Sequence, residues 1–329
     1  MLLVDEIRLT RDALRYGFAV GKVRVLETRM LDRAAYERLL DAPTQAEQRR
    51  LLSETAYGRY LEHAQTAEEV ERGLDEALDG FYGYLNEAAL PDEVVRFFRV
   101  RYDFANLKAA LKARLLAAPL DGLIAVHGTV PAEAFAQDAE LLPEPLGALA
   151  AELAEEEDSA VIDARTDAAM YAELLRLAKK AKSGYLTRMA KLIVDVGNVK
   201  TMVRATHAGL TVEAIRSLLA SGGSVPAEEL AGLIGVPLSD LPARLKRLAP
   251  LVSFPALDLN DPAELDIAVD AVLVAALRDG RRGATGADPV IAYVFAREYE
   301  VAALRVLLLG RLTGIPNDTL RARLRASYR

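Results

Sequence analysis

Asp103 to Ala113 reads DFANLKAALKA, and Asp195 to Ala205 reads DVGNVKTMVRA. The shared frame, D-x-x-N-[LV]-K-x-x-[LV]-[KR]-A, recurs at an offset of 92 residues. Further on, GTVPAEAF (Gly128 to Phe135) matches GSVPAEEL (Gly223 to Leu230) at an offset of 95, so the two ordered blocks agree within a three-residue insertion. A third copy, EVAALRVLLLG (Glu300 to Gly310), has Glu300 for the Asp, Ala303 for the Asn and Arg305 for the Lys. A weaker fourth stands at Lys22 to Glu27. The copies lead into AAYERLL, LDGLIAV, VEAIRSLL and DTLRARL. A unit of roughly 90 to 105 residues therefore recurs three times, with partial copies at both ends. Such units bury their faces against one another, which overrides the two-domain expectation set by 329 residues. The expected division is 1–32 as an N-terminal helix, 33–117, 118–210 and 211–314 as helical repeats, and 315–329 as a basic C-terminal helix.

The repeat is helical. Ala, Leu, Glu and Arg dominate, and all favour helix. From Glu93 to Leu116 the apolar residues recur at three- and four-residue spacing, with Pro91 expected at the helix start. Thr66 with Glu69 is a capping-box pattern for a helix running to about Ala89, and Asp261-Pro262 repeats that logic. Alternating strand patterns are hard to find. Breaks are expected at Pro143 to Pro145, Ser221 to Ser224, Ala249 to Pro255 and Gly280 to Gly286.

On a helix, Asp103 and Asn106 share a stripe, as do Asp195 and Asn198, while Lys108 and Lys200 point away from it. Two readings stand for this frame, which in the third copy is carried by Glu300 and Arg305. It is either a polar lock between helices of one unit or the lining of a shared surface facing a partner.

Catalytic chemistry finds little footing. With no cysteine, thiol nucleophiles and Cys-ligated zinc are excluded. His63, His127 and His207 are far apart, no Glu-x-x-His pair exists, and His127 reads as a polar loop residue. Gly17 to Val23 falls one residue short of a P-loop and has Val where the metal needs a hydroxyl. No catalytic residue, cofactor site, metal site or small-molecule substrate is expected. MLLVDEIRLTRDALRYG, with Asp5 and Glu6, lacks a signal peptide's apolar core. The uncharged runs, about 11 residues, fall short of the ~20 that span a bilayer.

The net charge of −7 is uneven. No Lys or Arg lies between Arg114 and Arg165, a stretch with eleven acids, including the helix-like run Glu155 to Asp158. The C-terminal segment is basic, through Arg305, Arg311, Arg321, Arg323, Arg325 and Arg329 against Asp318. Such a dipole can steer a charged partner or be a solvated face. Aromatic residues are only 6% and Trp is absent, which disfavours nucleic acid.

Five segments in order carry a resemblance: YGFAVGKVRVLETRML (Tyr16 to Leu31, with Tyr16, Arg24 and Glu27), LLSETAYG (Leu51 to Gly58), RVRYDFANLKAALKA (Arg99 to Ala113), KLIVDVGNVKTMVRA (Lys191 to Ala205) and AYVFAREYEVAALRVLLLG (Ala292 to Gly310). Together they resemble the C subunit of the V/A-type rotary ATPases and ATP synthases, which is related to the eukaryotic V-ATPase d subunit. The resemblance implies an all-α fold of three similar domains forming a funnel about a pseudo-threefold axis. It implies a non-enzymatic rotor adapter, one copy per complex. The adapter sits on the cytoplasmic face of the membrane proteolipid (c/L) ring, and the central shaft (D and F type subunits) plugs into its cavity. The alternative is a non-enzymatic helical-repeat scaffold that binds other proteins.

Overall fold

A computed structural model describes residues 11–88, 90–120, 122–137, 142–248, 259, 261–283 and 286–324. Among these there is no strand; the elements are fifteen α-helices and one 3-10 turn. The break Ala249 to Pro255, the acids Asp121, Asp138 and Glu140, and the tail arginines Arg325 and Arg329 lie outside the described residues.

Six helices are long, and they follow one another in three pairs. The first pair is α5 (Ala67–Glu87) and α6 (Asp92–Leu115), after α1 (Arg11–Glu27), α2 (Arg33–Asp41), α3 (Gln45–Ser53) and α4 (Gly58–Leu61). The 3-10 turn (Ala132–Ala136) and α7 (Leu146–Glu152) separate it from the second pair, α8 (Ser159–Lys180) and α9 (Gly184–His207). Next come α10 (Val212–Leu218), α11 (Ala227–Ala231) and α12 (Leu241–Leu248). The third pair is α13 (Pro262–Arg281) and α14 (Asp288–Leu312), and α15 (Asn317–Arg323) follows it.

The starts of these helices are written into the sequence. Thr66 and Glu69 form the full capping box of α5: the Thr66 hydroxyl accepts from the Glu69 N–H at 3.2 Å, and the Glu69 carboxylate accepts from the Thr66 N–H at 3.0 Å. Ser183 caps α9 by accepting from the Leu186 N–H at 3.0 Å. Pro91 stands at the start of α6, as its N-cap. Glu155 to Asp158 is not a helix face. It is the link between α7 and α8, and Asp158 leaves the helix to cap α8, accepting from the Ala160 N–H at 2.8 Å. LDGLIAV, unlike AAYERLL and VEAIRSLL, forms turns and no helix among its described residues.

The frame helices α6, α9 and α14 all end in the same way. In each, the last turn closes with an N–H reaching back five residues: Ala118 to the Ala113 carbonyl at 2.8 Å, Leu210 to Ala205 at 3.1 Å and Ile315 to Gly310 at 2.8 Å. The residue before each of these donors is left-handed: Ala117 at φ 49°, Gly209 at 71° and Gly314 at 77°. Further on, a proline starts a short element with nearly the same backbone (the 3-10 turn after α6, α11 after α9 and α15 after α14), ψ being 138°, 136° and 140° at Pro131, Pro226 and Pro316. Four residues on, Phe135, Leu230 and Leu320 are buried in turn.

By its internal contacts the chain divides into two compact units, one of Met1–Leu90 with Leu273–Arg329 and one of Pro91–Val272. In the first, α14 packs on α5 and α1, and its core runs from Tyr36, Leu39 and Leu40 through Leu61 and Leu74 to Leu304, Leu307 and Leu320. In the second, α8 packs on both α6 and α9.

Candidate functional site

The repeated polar frame is built into helix-to-loop clamps. Asp103 and Asn106 are buried on α6. Asp103 Oδ1 accepts from the N–H groups of Thr129 at 2.8 Å and Val130 at 3.0 Å, and its Oδ2 accepts from the Thr129 hydroxyl at 2.5 Å. Asn106 bridges Ala125 both ways, donating to its carbonyl at 2.9 Å and accepting from its N–H at 2.8 Å. On α9, Asp195 accepts from the N–H groups of Ser224 and Val225, both at 3.0 Å. Asn198 bridges Ala220 both ways at 2.8 Å. Asn106 and Ala125 are 19 positions apart, Asn198 and Ala220 22, so the three-residue insertion lies between the frame helix and the clamped loop.

The loop glycine is part of the clamp. A Cβ on Gly128 would stand 2.2 Å from Asp103 Oδ1, and one on Gly223 2.0 Å from Asp195 Oδ1. Only a glycine admits the carboxylate to the following N–H groups. Burial pushes both carboxyls above their ordinary pKa of 3.8, and the bonds they accept oppose that rise.

The third copy has nothing comparable to clamp. From Ala113 to Pro131 is 18 positions and from Ala205 to Pro226 is 21, but from Gly310 to Pro316 is only 6. The loop is missing, and both polar identities changed with it. Ala303 sits in the apolar core of its unit. Glu300, one methylene longer than Asp, accepts from the Leu31 N–H at 2.5 Å and from the Tyr57 hydroxyl at 2.7 Å, and it is ion-paired with Arg297. Arg297 donates to the Tyr293 hydroxyl at 2.8 Å and to the Leu26 carbonyl at 3.3 Å, with Phe81 4.8 Å beneath it. Both charged side chains are at most 3% exposed. Burial opposes the Arg297 charge, but Glu300, Tyr57 and Tyr293 outweigh it and leave its pKa raised. Tyr36 and Tyr57 are pushed well above their usual value, by burial first and then by Glu300. Sequence reasoning missed Arg297, Tyr57 and Tyr293. Its one available signal was an Arg three residues before a Glu inside the apolar run Ala292 to Gly310.

The basic position of the frame does the same thing in every copy. Lys108 pairs with Asp167 at 2.7 Å and Asp163 at 3.5 Å, both on α8. Lys200 pairs with Asp266 on α13 at 2.7 Å. Arg305 pairs with Glu71 at 2.6 Å and Asp75 at 3.0 Å, both on α5.

The N-terminal motif holds the end of α13. Arg24 donates to the carbonyls of Arg281 and Gly283, each at 2.6 Å, and pairs with the buried Glu27 at 3.0 Å. Glu27 also meets Arg281 at 3.4 Å. Tyr16 is buried on the same helix. In the basic tail, Arg311 donates to the Ala42 carbonyl at 2.8 Å, and Arg321 pairs with Glu37 and Asp41, both at 2.8 Å. His127 is a loop residue, and it is buried, its ring 5.2 Å from that of Tyr102.

A family model described as "ATP synthase (C/AC39) subunit" matches residues 19–323, nearly the whole chain. The chain belongs to this family. It is similar to the V-type ATP synthase C subunit of Thermus thermophilus, at 27% identity over 92% of this chain and 95% of the relative. It is also similar to the A-type ATP synthase C subunit of Thermococcus onnurineus (24%, covering 89% and 85%) and to the V-type sodium ATPase C subunit of Enterococcus hirae (23%, covering 93% and 97%). As a member of the C/AC39 family it is a non-catalytic component of a rotary ATPase or ATP synthase, and its partners are other subunits of that complex.

Each unit holds a cleft. One in the first unit, about 770 Å³, is lined by Lys22, Arg59, Phe81, Tyr84 and Tyr293. One in the second, about 530 Å³, is lined by Lys108, Asp163, Asp167, Tyr171, Lys200 and Arg204. The charged groups of the second are tied up in the frame's ion pairs. No group of three potential metal ligands occurs among the described residues, and no helix among them is long and apolar enough to cross a membrane.

Proposed function

We propose that the chain is the rotor adapter of its complex. It seats on the cytoplasmic face of the proteolipid ring, holds the D- and F-type shaft subunits in its cavity, and passes torque between the ATP-hydrolysing head and the ion-carrying ring. Its three repeats, 33–117, 118–210 and 211–314, close into a funnel about a pseudo-threefold axis, with 1–32 and 315–329 completing the last. The observation that carries this reading is the order of the frame's ion pairs. The basic residue of each second long helix engages the first long helix of the next pair: α6 with α8, α9 with α13, and α14 with α5. The last step returns to the pair that opens the series, and this order supports the reading.

An adapter under torque needs rigidity and shape, not a reactive group. The frame's Asp and Asn serve rigidity here: they hold loops to helices and are not free to line a partner surface. Contact areas above about 1,000 Å² are expected against ring and shaft. The test is co-sedimentation of the purified chain with detergent-solubilised proteolipid ring, with and without the shaft subunits. Binding to the ring with a separate site for the shaft is expected. A well-folded chain that binds neither would overturn the adapter and leave a scaffold for other proteins.

A further inference from the structure

The junctions between the long helices of each pair differ in charge. At the first, Glu87 pairs with Lys22 at 2.6 Å, and Asp92 and Glu93 open α6. At the third, Arg281 pairs with Glu27 and Arg282 with Asp279. The second, between α8 and α9, reads Lys179-Lys180-Ala181-Lys182-Ser183-Gly184 and continues to Arg188 and Lys191. Lys179, Lys180, Lys182 and Arg188 are exposed. Lys180 pairs with Glu93 at 3.0 Å, and Glu173 is taken by Arg176 at 2.6 Å and Arg96 at 3.8 Å. Among the described residues, Lys179, Lys182, Arg188 and Lys191 join none of the ion pairs, though Arg188 stands over the Tyr185 ring at 5.8 Å and Lys191 acts on the Asp195 carboxylate.

Helix electrostatics accounts for only part of this cluster. Lysines in the last turn of α8 suit its negative end. Arg188 and Lys191 lie beyond the first turn of α9, where the helix dipole favours neither sign. Lys182 adopts a left-handed conformation, φ 55°, that glycine adopts at lower energy.

The chemistry of the turn selects its partner. Lysine is depleted in protein interfaces, whose cores use aromatic and apolar anchors. The large exposed apolar residues, Phe18, Val25, Leu116, Leu123, Val126, Leu210, Val212 and Leu248, all lie elsewhere in the sequence. None of the turn's lysines lines either cleft described above. Long flexible ammonium side chains on an exposed turn suit a diffuse layer of phosphates, as juxtamembrane basic clusters do. We propose that the α8–α9 turn docks on an anionic phospholipid surface. This contact is separate from seating on the ring.

The test is sedimentation of the full chain with phosphatidylcholine vesicles containing about one third phosphatidylserine, against pure phosphatidylcholine, at low salt. The chain's net charge of −7 argues against indiscriminate binding, so co-sedimentation with the anionic vesicles alone is the expected result. Each basic residue contributes roughly fivefold, so Lys179→Gln, Lys182→Asn and Arg188→Gln combined reduce partitioning about 100-fold. Salt screens what remains. Arg244→Gln, Lys246→Gln and Arg247→Gln on the exposed side of α12 remove equal charge and leave binding unchanged. Three results overturn the proposal: no binding of the parent chain to anionic vesicles, an equal loss in the α12 variant, or capture by soluble polyglutamate with none by vesicles. Helical content measured on every variant separates misfolding from lost contact. The turn variant is also assayed with the ring in a neutral detergent free of anionic lipid. Unimpaired ring binding there keeps the lipid contact and the adapter reading separately testable.

Discussion

The first two frame helices and the third answer different demands with the same positions. On α6 and α9 an Asp and an Asn clamp a loop that follows within 30 residues. On α14 that loop is gone, and Glu300 with Arg297 ties together Leu26, Leu31 and Tyr57, more than 240 residues away in sequence. The first arrangement fastens a helix to its own continuation. The second fastens the N-terminal segment to the last long helix, and so completes the unit made from both ends of the chain. A repeat whose loop is lost can keep its helix only if other chain covers the exposed polar position.

The sharpest way to break the comparison is Glu300→Ala. It strands Arg297 as an uncompensated buried charge and leaves the Leu31 N–H and the Tyr57 hydroxyl without their acceptor. Removing one member of such a pair costs about 3–5 kcal/mol. Chemical denaturation is expected to show that loss, with the first unit melting earlier. A loss under about 1 kcal/mol would mean that the hub contributes no more than a surface pair.

A smaller effect is expected at the clamps. Gly223→Ala drives a methyl into Asp195 Oδ1 and breaks the bonds to Ser224 and Val225. Unpairing those groups costs about 1–3 kcal/mol. Asp195→Ala is expected to cost a similar amount, and the double variant little more than either alone, because both changes remove one arrangement. Additive losses in this cycle would show that glycine and carboxylate act independently.

What was legible in the sequence divides along the same line. The clamps were half visible: the D-x-x-N frame and the G-x-V-P block stand in register, and their shared three-residue insertion is a spacing that sequence alone reveals. What the Asp bonds to was not visible, since a buried acid on a helix can face another helix as readily as a loop. The third copy was misleading in isolation. Loss of Asp and Asn reads as decay of the motif, while the compensation comes from Tyr57 and the backbone of Leu26 and Leu31, which no local pattern connects to Glu300. Glu155 to Asp158 failed for a different reason. Glutamate favours helix, but an Asp that caps the next helix must itself be non-helical.

The clamps also carry a pH signature. Burial raises the carboxyls of Asp103 and Asp195, so the folded chain keeps protons there that the unfolded chain has released. The stability they contribute is full below the ordinary value of 3.8 and declines as pH rises through the raised folded values. Asp103→Asn with Asp195→Asn removes that dependence. Denaturation of parent and double variant at about pH 4 and about pH 7 is therefore expected to give the smaller difference at the higher pH. The opposite trend would mean that the accepted hydrogen bonds outweigh burial.

The smallest expected effect tests whether the three frame helices are equivalent where they end. All three close on a left-handed residue, but the first uses Ala117 where the others use Gly209 and Gly314. A side chain costs about 1–2 kcal/mol in that conformation, and glycine's extra freedom in the unfolded chain returns ~0.5–1 of it. Ala117→Gly is thus expected to stabilise by roughly 0.5 kcal/mol, and Gly209→Ala or Gly314→Ala to cost a comparable amount. The sign is the informative part, because neither glycine has another atom within 4 Å of where its Cβ would stand, so backbone strain alone is measured. If Ala117→Gly destabilises instead, the end of α6 must relax away from the left-handed conformation, and the match among the three helix ends does not extend to it.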